Sequence, residues 1–83
     1  MPKLARRAVQ VRLKLMGMLK ARTPPGGVLE VPDGATIEDV LRALEIAPQT
    51  IRVFTVNGRF ERDRSRVLVA NDELAAIPPV GGG

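Results

Sequence analysis

The sequence contains no cysteine and no histidine. That excludes disulfides, thiolate nucleophiles, Cys/His zinc sites and imidazole acid–base chemistry. Any sulfur handled by this chain cannot sit on a side-chain thiol. Tryptophan and tyrosine are absent as well, and Phe54 and Phe60 are the two aromatic residues. The core must be aliphatic, and nucleic-acid bases would find few platforms to stack on. No apolar run approaches the roughly 18 residues that span a bilayer. No apolar stretch with a small-residue cleavage site follows the charged start. The expectation is a cytoplasmic protein with neither membrane nor nucleic acid as partner.

What is present is an ordinary globular composition, 45% apolar and 27% charged. With 83 residues the chain makes one modest core. Little volume remains for an enclosed active site, which favours carrying or binding over self-sufficient catalysis. The net charge of +4 is unevenly spread. Residues 1–29 hold seven basic groups (Lys3, Arg6, Arg7, Arg12, Lys14, Lys20, Arg22) and no acid, whereas residues 30–83 hold six basic and nine acidic groups. The basic start reads as a solvated terminus plus one polar strand face, or as steering toward an acidic partner.

Residues 1–8 lack a period and form a basic lead-in ahead of a domain over 9–79. Val9, Val11, Leu13 and Leu15 alternate with Gln10, Arg12 and Lys14, the pattern of a half-buried strand. Met16 falls on the polar-side parity. Residues 17–27 carry Pro24, Pro25, Gly26 and Gly27 and read as a loop with room for one helical turn. Val28 to Val31 is a second strand, ended by Pro32-Asp33-Gly34.

Thr36 is a good N-cap, with Glu38 and Asp39 at the positive end of the helix dipole. Ile37, Val40, Leu41 and Leu44 share one face, and Pro48 stops the pattern, predicting a helix over 37–46. Ile51 to Val56 reads as a third strand, closed by the Asn57-Gly58 turn signal. A short strand at 59–62, a charged loop at 63–66, a brief extended piece at 67–69 and a turn at Asn71-Asp72 follow. Glu73 to Pro78 is the last strand, with Leu74 and Ala76 inward and Ala75 and Ile77 outward. Adjacent carboxylates at Asp72 and Glu73 point to opposite faces of a strand, so they are expected at the surface of a turn. The order predicts an α+β fold: a mixed sheet of four to five strands packed on one main helix.

The ending Pro78-Pro79-Val80-Gly81-Gly82-Gly83, after Asn71-Asp72-Glu73-Leu74, resembles the C-terminal signature of the MoaD/ThiS family. Residues 31–41 and Phe54-Thr55-Val56-Asn57-Gly58 resemble that family's approach to its single helix and its third strand and turn. The likeness spans about residues 9–83. Two departures are Ala70-Asn71-Asp72-Glu73 in place of the family's Asp-Gly-Asp-Glu turn, and the Pro/Gly run in 17–27. They leave the subfamily, and with it the acceptor pathway, open.

The resemblance implies a ubiquitin-like β-grasp fold and a sulfur carrier. Such a carrier is a protein co-substrate that is no enzyme by itself, either standing alone or serving as the small subunit of a molybdopterin synthase-type enzyme. The C-terminal diglycine is its reactive end. The Gly83 carboxylate would be adenylated and converted to a thiocarboxylate, with Gly82 beside it. The resulting sulfur would serve molybdenum cofactor biosynthesis, thiamine synthesis or tRNA thiolation. ATP and a sulfur donor act through a ubiquitin-activating-type adenylyltransferase, and a sulfur-acceptor enzyme or synthase large subunit is the second partner. No cofactor or metal is expected on the chain itself. Val80 and Gly81 complete a flexible tail over 80–83, long enough at roughly 3.3–3.6 Å per residue to thread a narrow channel. Pro78 and Pro79 restrict the chain at its root.

The same resemblance places Met16, Phe60 and Ile77 on a docking surface with Pro78 and Pro79. Strand parity independently puts Met16 and Ile77 opposite the core. Phe60 either joins that surface or finishes a small core. Two other functions fit the sequence: a ubiquitin-like modifier joined through Gly83 to lysines, and a non-catalytic β-grasp interaction module.

Overall fold

The computed structural model describes residues 8–79. Strand β1 (Ala8–Leu15) buries Val11, Leu13 and Leu15 and exposes Gln10, Arg12 and Lys14, as its alternation predicts. It begins at Ala8, one residue inside the expected lead-in. The loop to strand β2 (Val28–Pro32) contains two 3-10 segments, Gly17–Arg22 and Pro25–Gly27. Strand β2 pairs antiparallel with β1, matching Val31 to Val9 and Leu29 to Val11. Helix α1 (Ile37–Ala43) crosses next, and strands β3 (Val53–Val56), β4 (Arg59–Glu61) and β5 (Glu73–Ile77) complete the chain. The sheet order is β2-β1-β5-β3-β4, with β5 parallel to β1 and antiparallel to β3.

The helix starts where the sequence places it. The Asp39 N–H donates to Thr36 Oγ1 at 3.2 Å and the Thr36 N–H donates to Asp39 Oδ2 at 3.0 Å, a reciprocal capping box. The Thr36 backbone N–H first, and the Thr36 hydroxyl second, hold the Asp39 carboxyl below its ordinary value. Ile37, Val40 and Leu41 face one core together with Val56, Leu68 and Leu74.

The helix ends earlier than residue 46, because the chain closes on itself before Pro48 is reached. The Glu45 N–H donates to the Arg42 carbonyl and the Ile46 N–H to the Leu41 carbonyl, which is the Schellman pattern. It requires Glu45 to take φ +60°, a left-handed conformation usually left to glycine. In return Ile46 is turned into the core.

Other boundaries also shift for backbone reasons. Strand β2 runs one residue further than expected, through Pro32. Strand β3 starts at Val53 rather than Ile51, because Pro48–Thr50 forms a 3-10 turn that takes the Ile51 N–H. Strand β4 stops at Glu61, and β5 stops at Ile77. The piece at 67–69 forms a single bridge, Val67 to Thr36, and serves to bury Leu68 beneath the helix start.

Truncation of Leu41 to Ala is expected to cost about 2–5 kcal/mol, measured by urea unfolding, because its side chain lies in the fully packed layer. Glu45→Gly is expected to raise stability by about 1 kcal/mol in the same assay, since it relieves a left-handed residue. The ion pair it removes, Glu45 with Arg22 at 3.6 Å, is exposed.

Candidate functional site

The end of β5 is gripped from both sides. On one side the ladder with β1 pairs Leu15 with Ala76, and the Met16 N–H donates to the Ala76 carbonyl at 3.1 Å. On the other side the Arg52 N–H donates to the Ile77 carbonyl at 2.8 Å. Pro78 carries no N–H, so pairing cannot continue, and the chain leaves the sheet at that point. Gly17 lies against Pro78: a Cβ added there would sit 3.1 Å from Pro78 Cγ. Gly17 also has φ +57°, so both the turn and the close approach call for glycine. The expected tail, Val80, Gly81, Gly82 and Gly83, lies outside the described residues, as do residues 1–7.

The start of β5 is fixed by polar contacts. Asp72, expected at the surface, is 6% exposed. Its carboxylate accepts from Asn57 Nδ2 and from the Val69 N–H, each at 2.8 Å. Asn57, held at φ +54° in the turn, also accepts the Glu73 N–H on Oδ1 at 2.9 Å. From the β1 side, the Arg12 N–H donates to the Asp72 carbonyl, and the Arg12 side chain donates twice to the Asn71 carbonyl at 3.1 and 3.2 Å. A buried carboxylate needs such partners. The sequence signal for this role was the Asn57-Gly58 turn signal and the acidic turn, but their meeting depends on the sheet.

The face of the sheet opposite the helix carries the expected docking residues. Register sets Lys14, Ala75, Thr55 and Phe60 side by side in one row. The next row, at the chain exit, holds Met16, Ile77 and Val53. Phe60 is 79% exposed, so it does not finish a core. Met16, Ile77 and Pro78 are half-buried, and Pro79 is exposed. The structure thus brings Met16, Ile77 and Phe60 onto one face beside Pro78. It adds Val53 and Thr55, whose neighbours are set by register; Ala75, expected outward, is on this face but buried between Lys14 and Thr55 of the flanking strands. What this face exposes of its apolar side chains is mainly Phe60, with Met16, Val53 and Ile77 half-buried around the exit.

Charge around this face is uneven. Glu73 faces Arg12 at 4.0 Å at the end away from the exit. Glu61 is turned off the face: it accepts from the Asp63 N–H at 3.0 Å and from Arg66 at 2.9 Å, and these hold its carboxyl below the ordinary value. Among the described residues, no group of acidic side chains is arranged to hold a metal ion, and no helix is long and apolar enough to cross a membrane.

A mixed five-stranded sheet on one helix, with its last strand inside the sheet beside the first, defines a ubiquitin-like β-grasp protein. The sequence matches the ThiS family over residues 13–83, and the chain belongs to that family. Small archaeal modifier protein 1 from Haloferax volcanii is similar in structure, with a TM-score of 0.63 at 26% identity, covering 87% of this chain and 99% of that one. The HVO 2177 protein of the same organism gives a TM-score of 0.66 at 24% identity, covering 92% of this chain and 88% of that one. A Pyrococcus furiosus protein described as molybdopterin converting factor, subunit 1, gives 0.64 at 20% identity, covering 87% and 99%. The last two likenesses concern the fold alone. No curated protein matches the sequence.

Gly17→Ala is expected to lower stability by about 1–2 kcal/mol and to shift the amide resonances of residues 77 and 79. Gly34→Ala is the control: its φ is +95°, but nothing lies within 4 Å of the added Cβ. It should lose stability without moving those resonances.

Proposed function

We propose that this protein is a sulfur carrier whose working group is the main-chain carboxylate of Gly83. A carboxylate is a poor electrophile. Attack of its oxygen on the α-phosphorus of ATP forms an acyl adenylate and releases pyrophosphate. A sulfur donor then attacks the acyl carbon, the C–O bond to AMP breaks, and a thiocarboxylate remains. That product is a strong nucleophile at neutral pH and passes its sulfur to an acceptor. The activating step belongs to a partner of the ubiquitin-activating adenylyltransferase type. The acceptor is a molybdopterin-type synthase large subunit, or an enzyme of thiamine synthesis or tRNA thiolation.

The observation that carries this reading is the exit geometry. The last strand is held on both sides through Ile77, the chain leaves at Pro78, and an apolar face with Phe60 lies beside that exit. A partner seated on that face would have Pro79 to Gly83 within reach of its own active site. Glycines suit a narrow channel because they lack a Cβ. A second reading is a protein modifier joined through Gly83 to lysines, favoured by the 26% identity to small archaeal modifier protein 1. Both readings share the adenylate and part at the acceptor.

Intact-mass spectrometry of the protein isolated from its own cells establishes whether the chain terminates at Gly83. Incubation with the activating enzyme of the same cell, ATP and a sulfur donor is expected to exchange one carboxyl oxygen for sulfur. Deleting Gly82 and Gly83 should abolish this while leaving the unfolding midpoint unchanged. A native chain continuing past Gly83 without processing, or an unchanged mass under those conditions, would sink the carrier reading. Higher-mass conjugates of a tagged chain, lost on the same deletion, would show the modifier role.

A further inference from the structure

An open groove of about 550 Å³ lies at the end of the β3–β4 hairpin, next to the chain exit. Arg52, Val53, Phe54, Phe60, Glu61 and Arg62 line it. Arg52 is the residue whose N–H holds the Ile77 carbonyl. Arg62 is the first residue after β4, and it lines the groove together with Phe60. The acid nearest to them, Glu61, is already engaged by Arg66 and the Asp63 N–H. Among the described residues neither Arg52 nor Arg62 forms an ion pair, and Lys14 on the adjoining face forms none either. The exit end of the molecule therefore combines apolar side chains with uncompensated positive charge.

We propose that this groove receives an acidic segment of the activating enzyme, one that sets a carboxylate between Arg52 and Arg62 and an apolar side chain on Phe60 and Val53. The identity of the partner rests on the carrier reading above; the chemistry of the segment rests on the groove. Guanidinium groups match carboxylates in paired hydrogen bonds, and unpaired rim charges steer encounter. A single aromatic ring with no second stacking partner fits a protein side chain better than a run of bases. The location adds a consequence. Anion capture beside the Arg52–Ile77 hydrogen bond orients the partner relative to the root of the tail, so Arg52 acts as a positioning residue.

The test is an NMR titration of the full chain with the activating enzyme, without ATP, at about 50 mM and about 500 mM salt, where screening differs strongly. The expected result is perturbation of Val53, Phe60 and Arg62. Arg52→Glu/Arg62→Glu should weaken binding roughly tenfold or more at low salt and far less at high salt. Arg52→Lys/Arg62→Lys, which keeps the charge but loses the paired hydrogen bonds, should bind between the parent and the double reversal and keep the salt dependence, and Arg64→Glu, in the loop on the helix side, should bind like the parent. Equal affinity of the double charge reversal at both salts would overturn the proposal. So would occupation of the groove by a second copy of the chain, or by a single-stranded RNA oligonucleotide of equal affinity. Adenylation at the normal rate with charge-indifferent binding would remove this inference and keep the carrier reading. Salt-dependent binding through the groove with no adenylate on adding ATP would do the reverse.

Discussion

The parallel pairing of β1 with β5 is the constraint on which the rest depends. It places the last strand inside the sheet, between β1 and β3, rather than at an edge. Parallel neighbours cannot be joined by a tight turn, so the helix and the β3–β4 hairpin must lie between them in sequence. One end of β5 is locked at Asp72, whose buried carboxylate is held by Asn57 and whose main-chain carbonyl accepts from the Arg12 N–H. The other end is released by Pro78, which has no hydrogen to donate. A strand held along its length and let go at one defined point aims whatever follows it.

The two faces of this sheet divide the labour. The inner face meets the helix with aliphatic side chains and Phe54 and supplies the stability. Among the described residues no layer covers the outer face, and Phe60 is left largely exposed. A domain this small builds one modest core, and here that core lies on the helix side of the sheet. An uncovered apolar face is a cost in a lone chain and becomes useful when a partner covers it. The functional reading follows from that asymmetry more than from any single side chain.

Local electrostatics favour the same end of the molecule. Asp39 is taken by the helix cap, Glu61 by its loop, and Asp63 by Ser65, whose side chain and backbone N–H hold its carboxyl below the ordinary value. Asp72 is buried in the turn before β5. These acids fold the chain, and the arginines near the exit are left to face outward.

Much of this was legible in the residues. The alternation of β1, the capping signal at Thr36, the apolar face of the helix and the Asn57-Gly58 turn each rest on contacts within a few residues, so local pattern sufficed. Parity also placed Met16 and Ile77 on the outer face, and likeness to the MoaD/ThiS pattern drew attention to the glycine ending. Tertiary structure decided what depends on distant partners. Asp72 is buried because Asn57 Nδ2 and the Val69 N–H satisfy its carboxylate, while β1 takes its main-chain carbonyl. The helix stops at Ala43 because Ile46 gains more in the core than Glu45 loses in a left-handed turn. Phe60 is exposed because β4 is an edge strand whose register turns it away from the helix. Short-range periodicity dictates which way a side chain points along its own strand; only the order and register of strands dictate what stands beside it.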